Sequence, residues 1–240
     1  MSDKVELDWA LRDLVTANRI LAREGVLDGF GHVSIRHPSN RKRYFLSRSR
    51  SPELVTRDDL MEFTLDNEPI DQRGRAMYAE RPIHGCLYQM RPEVNAVCHN
   101  HANSLIPFGV TGMQLRPIFH MASVIGPNVP IWDIRKEFGD TNLLVTDKMQ
   151  GKSLARSLKK GRVALMRGHG SVVTGTSLRE TVFTAIYLQI NADLQMKSQG
   201  MGDVDFLSAG EIDRASKLLF QDLSQDRAWD YWSSRAGFPG

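Results

Sequence analysis

The chain has 240 residues, 41% of them hydrophobic and 25% charged, which is the composition of a large globular domain and not of a disordered or low-complexity chain. A formal net charge of +3 is too small for a nucleic-acid-binding surface, and the short basic clusters Arg41-Lys42-Arg43 and Lys159-Lys160-Gly161-Arg162 read as solvated loops. No apolar run reaches membrane-spanning length and no signal peptide precedes the first helix; Cys86 and Cys98, both in apolar segments, are expected to be reduced core residues of a cytoplasmic protein with no membrane partner.

In chain order, Leu7, Leu11, Leu14 and Leu21 give residues 6–24 one apolar face, predicting a helix that Gly25 closes. Short alternating strands follow at His32–Arg36 and Arg43–Ser47, with Pro38, Ser39 and Asn40 as the turn. Residues 56–59 form a capped helical turn before a strand over 61–65, and a helix over 80–90 leads to an apolar, β-branched strand ending in His99-Asn100-His101. A helix is expected over 102–109, mostly short strands and loops over 113–146, a helix over 148–160, and a strand over 162–166 running into Gly168-His169-Gly170. Two capping boxes, Ser177 with Glu180 and Ser208 with Glu211, open helices to about Gly200 and Leu219. The aromatic tail Ala228-Trp229-Asp230-Tyr231-Trp232 suits an interface, a cover over the active site, or simple packing. With no linker or repeat, residues 1–240 read as a single α/β or α+β domain whose helices cover a mixed sheet.

The chemistry sits in the histidines. On a strand, residues i and i+2 share a face about 6–7 Å apart, so His99 and His101 can converge on one ion at roughly 2.1 Å each. His169 on its glycine turn supplies a third imidazole, and three-histidine shells with an open position are usually catalytic. A His-x-His pair also arises by chance, so spacing alone leaves metal and structural roles both open.

Four segments in order resemble the class II aldolase/adducin family. They are Gly31-His32-Val33-Ser34, then Glu80 with Arg91-Pro92-Glu93-Val94, then His99-Asn100-His101, then Gly168-His169-Gly170. The resemblance runs from the first helix to about Gln195. It implies a three-layer α/β/α sandwich on a mostly antiparallel sheet, and a homotetramer with active sites at its interfaces. It also implies His99, His101 and His169 as ligands of one divalent metal ion per chain, with Glu80 as acid/base. Mn²⁺ is favoured, and Zn²⁺ or Co²⁺ also suits three neutral imidazoles.

The chain departs from the sugar-phosphate aldolases of that family. Their serine pair before the glutamate is replaced by Tyr78-Ala79-Glu80, and an arginine-bearing loop, Ser47-Arg48-Ser49-Arg50, stands where a phosphate loop would be. Arginine matches a carboxylate with two parallel hydrogen bonds, so Ser47, Arg48 and Arg50 are candidates to bind a carboxylated substrate. His32 and His120 are candidate proton-handling residues beside their structural alternatives, and His84 can reach Glu80 by an i,i+4 contact. These features resemble the branch of the family that decarboxylates hydroxylated aromatic or heteroaromatic acids. Examples of such substrates are 3-hydroxy-2-methylpyridine-4,5-dicarboxylate of vitamin B6 degradation and dihydroxyphthalates. That chemistry runs through a metal-stabilised enolate, with carbon dioxide leaving in place of an aldehyde. The alternatives are a sugar-phosphate aldolase or epimerase and a non-enzymatic, adducin-like interaction domain.

Overall fold

The computed structural model of the protein describes residues 3–238; the first and last two residues of the predicted domain lie outside that range. Seven strands form one sheet in the order β3-β2-β1-β4-β7-β6-β5. They are β1 (His32–Arg36), β2 (Arg43–Ser47), β3 (Leu60–Thr64), β4 (Ala96–Asn100), β5 (Ile131–Trp132), β6 (Val163–Met166) and β7 (Gly170–Gly175). Among the described residues only the β5–β6 pairing is parallel, so the expected mostly antiparallel sheet is what forms.

Alternation along each strand sends side chains to two separate cores. One core takes Val33, Ile35, Ala96, Cys98, Leu165 and Val173 against the long helices α1 (Asp3–Arg23), α6 (Leu178–Gln199) and α8 (Asp222–Arg235). The other takes Tyr44, Leu46, Val97, Ala164 and Val172 against α2 (Pro82–Met90) and α5 (Lys148–Ser157). The result is helix, sheet, helix in three layers. Three shorter helices, α3 (Ile106–Thr111), α4 (Arg135–Phe138) and α7 (Ala209–Leu219), complete the set. Both cysteines are free and buried, as their apolar surroundings predict.

Several elements differ from expectation. β1 reads as an alternating strand with a wet face, yet all five residues are buried. Its polar residues point at α2, where they are absorbed by hydrogen bonds. The Arg36 guanidinium donates to the carbonyls of Val94, Arg41, Tyr88 and Arg91 and covers the Tyr88 ring. The helix expected from residue 80 starts at Pro82, which suits N1 because it has no N–H to lose; Glu80 therefore sits in the preceding turn. The helix expected over 102–109 is a 3-10 turn, Asn103–Leu105, followed by α3. Residues 113–146, expected as strands and loops, include a 3-10 helix, His120–Ile125, as well as α4 and the two-residue β5. Ser177 caps α6 without a reciprocal box: Glu180 turns instead to the Thr176 amide and to Arg162. The Ser208–Glu211 box is complete. The C-terminal aromatics belong to α8, and Trp229 and Trp232 are buried in the first core.

Candidate metal centre

The sheet register assembles the centre. β1 and β4 run antiparallel with His32 opposite His99, and β4 and β7 pair with Asn100 opposite Ser171. The start of β1, the end of β4 and the start of β7 therefore share one edge of the sheet, and His169 lies in the turn before β7. Two glycines allow this close approach. Gly31 has φ +81°, and a Cβ there would lie 2.9 Å from the His99 carbonyl oxygen. A Cβ at Gly170 would collide with the Asn100 carbonyl and wedge β7 off β4.

The three imidazoles meet through their Nε2 atoms. His101 Nε2 lies 3.0 Å from His99 Nε2 and 3.1 Å from His169 Nε2, and together with Glu80 the candidate ligand atoms fall within 4.8 Å of one another. His101 is one residue past the end of β4, so the pair converges across a strand end and not along a regular strand. The backbone sets the ring protons. His99 Nδ1 donates to the Ser171 carbonyl at 3.0 Å and His169 Nδ1 to the Leu143 carbonyl at 2.9 Å. With Nδ1 protonated on both neutral rings, their Nε2 lone pairs face inward toward His101, which can donate one proton to only one of them. Converging lone pairs, oriented by second ring bonds, are what a divalent cation requires of a histidine shell. The donor set therefore fits a divalent ion, and among three neutral imidazoles nothing selects one metal over another.

Glu80 closes the set. Its Oε1 accepts the Val145 N–H at 2.9 Å, while Oε2 lies 3.4 Å from His99 Nε2 and 3.5 Å from His169 Nε2. Burial works to raise the Glu80 pKa, but the His169 and His99 imidazoles beside it outweigh burial and hold the carboxyl well below the usual carboxylate range. Burial, reinforced by its neighbours His99 and His169, lowers His101 to about 4.

Behind the centre, His32 Nδ1 is 2.7 Å from His84 Nε2, His84 Nδ1 is 2.6 Å from Ser34 Oγ, and Ser34 Oγ is 2.7 Å from the Tyr88 hydroxyl. His84 is thus committed to this chain and not to Glu80, because Glu80 lies outside α2 and the i,i+4 geometry does not form. Burial pushes His84 down to about 3. Between about pH 6.5 and 3 the unfolded histidine binds a proton that the folded one does not, so stability rises with pH across that window and loses it on acidification. A His84→Gln variant is expected to show a flatter acid limb in urea unfolding, compared at about pH 4.5 and about pH 7.

A cavity of about 400 Å³ opens at the centre, lined by His32, Arg50, Tyr78, Glu80 and His101 among others. Of the predicted carboxylate binders, Arg50 lines it. Arg48 instead binds Asp59 Oδ1 at 2.5 Å, and the same carboxylate holds Arg50 Nε at 3.3 Å, so the two arginines do share a face. Ser47 donates to the Tyr78 hydroxyl at 3.3 Å. His120 is exposed at the start of its 3-10 helix and is not brought to the cluster within one chain. Tyr78, the Ser34–Tyr88 pair and the carbonyls of Leu143 and Ser171 were not foreseen. The i,i+4 spacing of His84 and Tyr88 was a readable signal, whereas backbone donors and acceptors carry no residue-type signature. A slightly larger cleft of about 480 Å³, between Arg91, Lys159 and Arg162 at the opposite end of β4, holds no metal-ligating set.

Comparison with known proteins agrees with this geometry. Residues 12–196 match the family model "Class II Aldolase and Adducin N-terminal domain". The decarboxylase tropJ of Talaromyces stipitatus is 37% identical over 92% of this chain and 92% of its own length. The 3,4-dihydroxyphthalate decarboxylase of a Terrabacter species is 27% identical over 95% of this chain and 98% of its own. Among solved structures, the L-fuculose 1-phosphate aldolase of Glaciozyma antarctica superposes with a TM-score of 0.80 at 21% identity, over 100% of this chain and 95% of that one, which shows the shared fold. The chain belongs to the class II aldolase and adducin family, on its decarboxylase branch.

Proposed function

We propose that the protein is a divalent-metal-dependent carboxy-lyase acting on a hydroxylated aromatic or heteroaromatic dicarboxylate. Candidate substrates are 3,4-dihydroxyphthalate, which a relative's name specifies, and 3-hydroxy-2-methylpyridine-4,5-dicarboxylate. The observation that carries the reading is that Glu80 and His101, two members of the four-residue cluster they form with His99 and His169, line the same cavity as Arg50. Bound at His99, His101 and His169, a divalent ion supplies Lewis-acid polarisation of a substrate oxygen.

The rest is done by side chains. Oε2 of Glu80, ionised and not engaged by Val145, accepts the proton of the ring hydroxyl. The same carboxyl then delivers that proton to the ring carbon that bears the departing carboxylate. The carbon–carbon bond breaks, its electron pair restores the aromatic ring as the phenolate, and carbon dioxide leaves. Solvent reprotonates the phenolate, so one proton is consumed overall. Arg50, whose Nε is held by the Leu54 carbonyl at 2.8 Å, presents its terminal nitrogens to the second carboxylate. Tyr78 fills the place where sugar-phosphate aldolases carry small hydroxyl residues; its hydroxyl is tied to the Arg50 carbonyl and its ring packs 4.5 Å from His32. The homotetramer expected from the family and a cytoplasmic location belong to the same reading. Among the described residues no helix is long and apolar enough to cross a membrane.

The test is carbon dioxide release by the purified, metal-loaded protein from the two dicarboxylates, with L-fuculose 1-phosphate as the competing substrate. Retro-aldol cleavage of the sugar phosphate without decarboxylation rejects the proposal, and a protein that binds no divalent ion returns the interaction-domain alternative. Arg50→Leu is expected to raise KM about 10- to 100-fold, the worth of a hydrogen bond to a charged group, with little change in kcat. Arg48→Leu is expected to have a smaller effect, and steady-state kinetics compares the two.

A further inference from the structure

The chain of polar groups running from the cavity into the second core has a direction. Its members, His32, Ser34, His84 and Tyr88, are all buried, with Ser34 and His84 fully so. Each bond between neighbours needs one proton, and a buried proton without an acceptor is expensive. Among the described residues the Tyr88 hydroxyl has Ser34 as its one partner, so its proton must go there. Ser34 then has only His84 Nδ1 left as an acceptor for its own proton. His84 is fully buried with no carboxylate in hydrogen-bond reach, so it is neutral and carries its single proton on Nε2, which donates to His32 Nδ1. The reverse direction strands the Tyr88 proton. Having Tyr88 and His84 both donate to Ser34 strands the serine proton. One arrangement pairs every proton.

We infer that Tyr88, Ser34 and His84 are positioning residues that hold His32 as an Nε2–H hydrogen-bond donor to the cavity. His32 Nε2 has no protein partner among the described residues, is not a sealed atom, and its ring stands between Tyr78 and His99 at the cavity wall. A donor fixed there suits a carboxylate or phenolate oxygen and makes His32 a poor base. Its role toward substrate rests on the proposed decarboxylase; the tautomer does not.

The experiment is nitrogen-15 spectroscopy of histidine-labelled, zinc-loaded full-length protein, with His32 assigned by its loss in His32→Gln. The expected spectrum has a lone-pair-type Nδ1 and a protonated Nε2 on His32. A protonated Nδ1, alone or with Nε2, overturns the inference. Calorimetry with phthalate, which has no ring hydroxyl to react, tests the donor. His32→Gln, whose amide nitrogen reaches the same position, is expected to bind within about threefold of the parent, and His32→Leu about tenfold or more weaker. Equal binding by the Gln and Leu variants rejects the donor role. If phthalate binds no form of the protein, the substrate reading fails while the spectrum still decides the tautomer.

Discussion

His99→Ala is expected to lose bound metal and turnover together. His99 is fully buried and its Nε2 faces both His101 and Glu80 Oε2, so truncation removes one of the three converging imidazole donors from the centre. Loss of a group that merely supports a ligand costs roughly 10–100-fold in metal affinity, and loss of a ligand is expected to exceed that. Lewis-acid stabilisation is worth several kcal/mol, so kcat/KM is expected to fall about 10³-fold or more. Elemental analysis beside a carbon dioxide assay checks both, and an active, metal-free variant refutes the assignment. The same shell predicts metal loss on acidification, because protons and the ion compete for the same lone pairs. Burial and its neighbours hold His101 at about 4, so that ligand stays neutral well below pH 7 and competes for its proton only in stronger acid.

Glu80→Gln separates proton transfer from metal binding. The glutamine oxygen can still accept the Val145 N–H, so the turn before α2 keeps its anchor. What disappears is the anionic oxygen beside His99 and His169. Metal content is expected to stay within a few-fold of the parent, while kcat falls by about 10²–10⁴, the usual worth of a positioned acid/base group. A Gln variant with near-parental kcat excludes Glu80 from the proton path, whereas joint loss of metal and activity identifies it as an obligatory ligand.

How much of this was legible beforehand differs from residue to residue. His99, His101 and His169 were readable as a set because they fall in order with the other segments of the family resemblance, and the structure brings their Nε2 atoms together. β1 and β2 were readable to the residue, since alternation and the Pro38–Asn40 turn are encoded within a few positions. The start of α2 was misplaced by two residues because Glu80 and Arg81 have helix-compatible character, and only Pro82 at N1 marks the boundary. His120 drew attention as a titratable residue after an apolar stretch, and periodicity cannot tell which side of a 3-10 turn meets solvent. The helix carrying Trp229 and Trp232 was taken for a tail because its aromatic run masks the spacing that fills the first core.

The sequence by itself determined the class of the fold and picked out the three histidines and the glutamate that the structure gathers into one cluster, because these follow from short-range pattern and side-chain chemistry. Only the tertiary structure decided which lone pairs face inward, through the carbonyls of Ser171 and Leu143, and which arginine meets the cavity, through their shared tie to Asp59. It alone decided that His84 serves His32 and not Glu80. Each of these depends on contacts between residues far apart in the chain, and the register of one strand against another is what brings them within hydrogen-bonding distance.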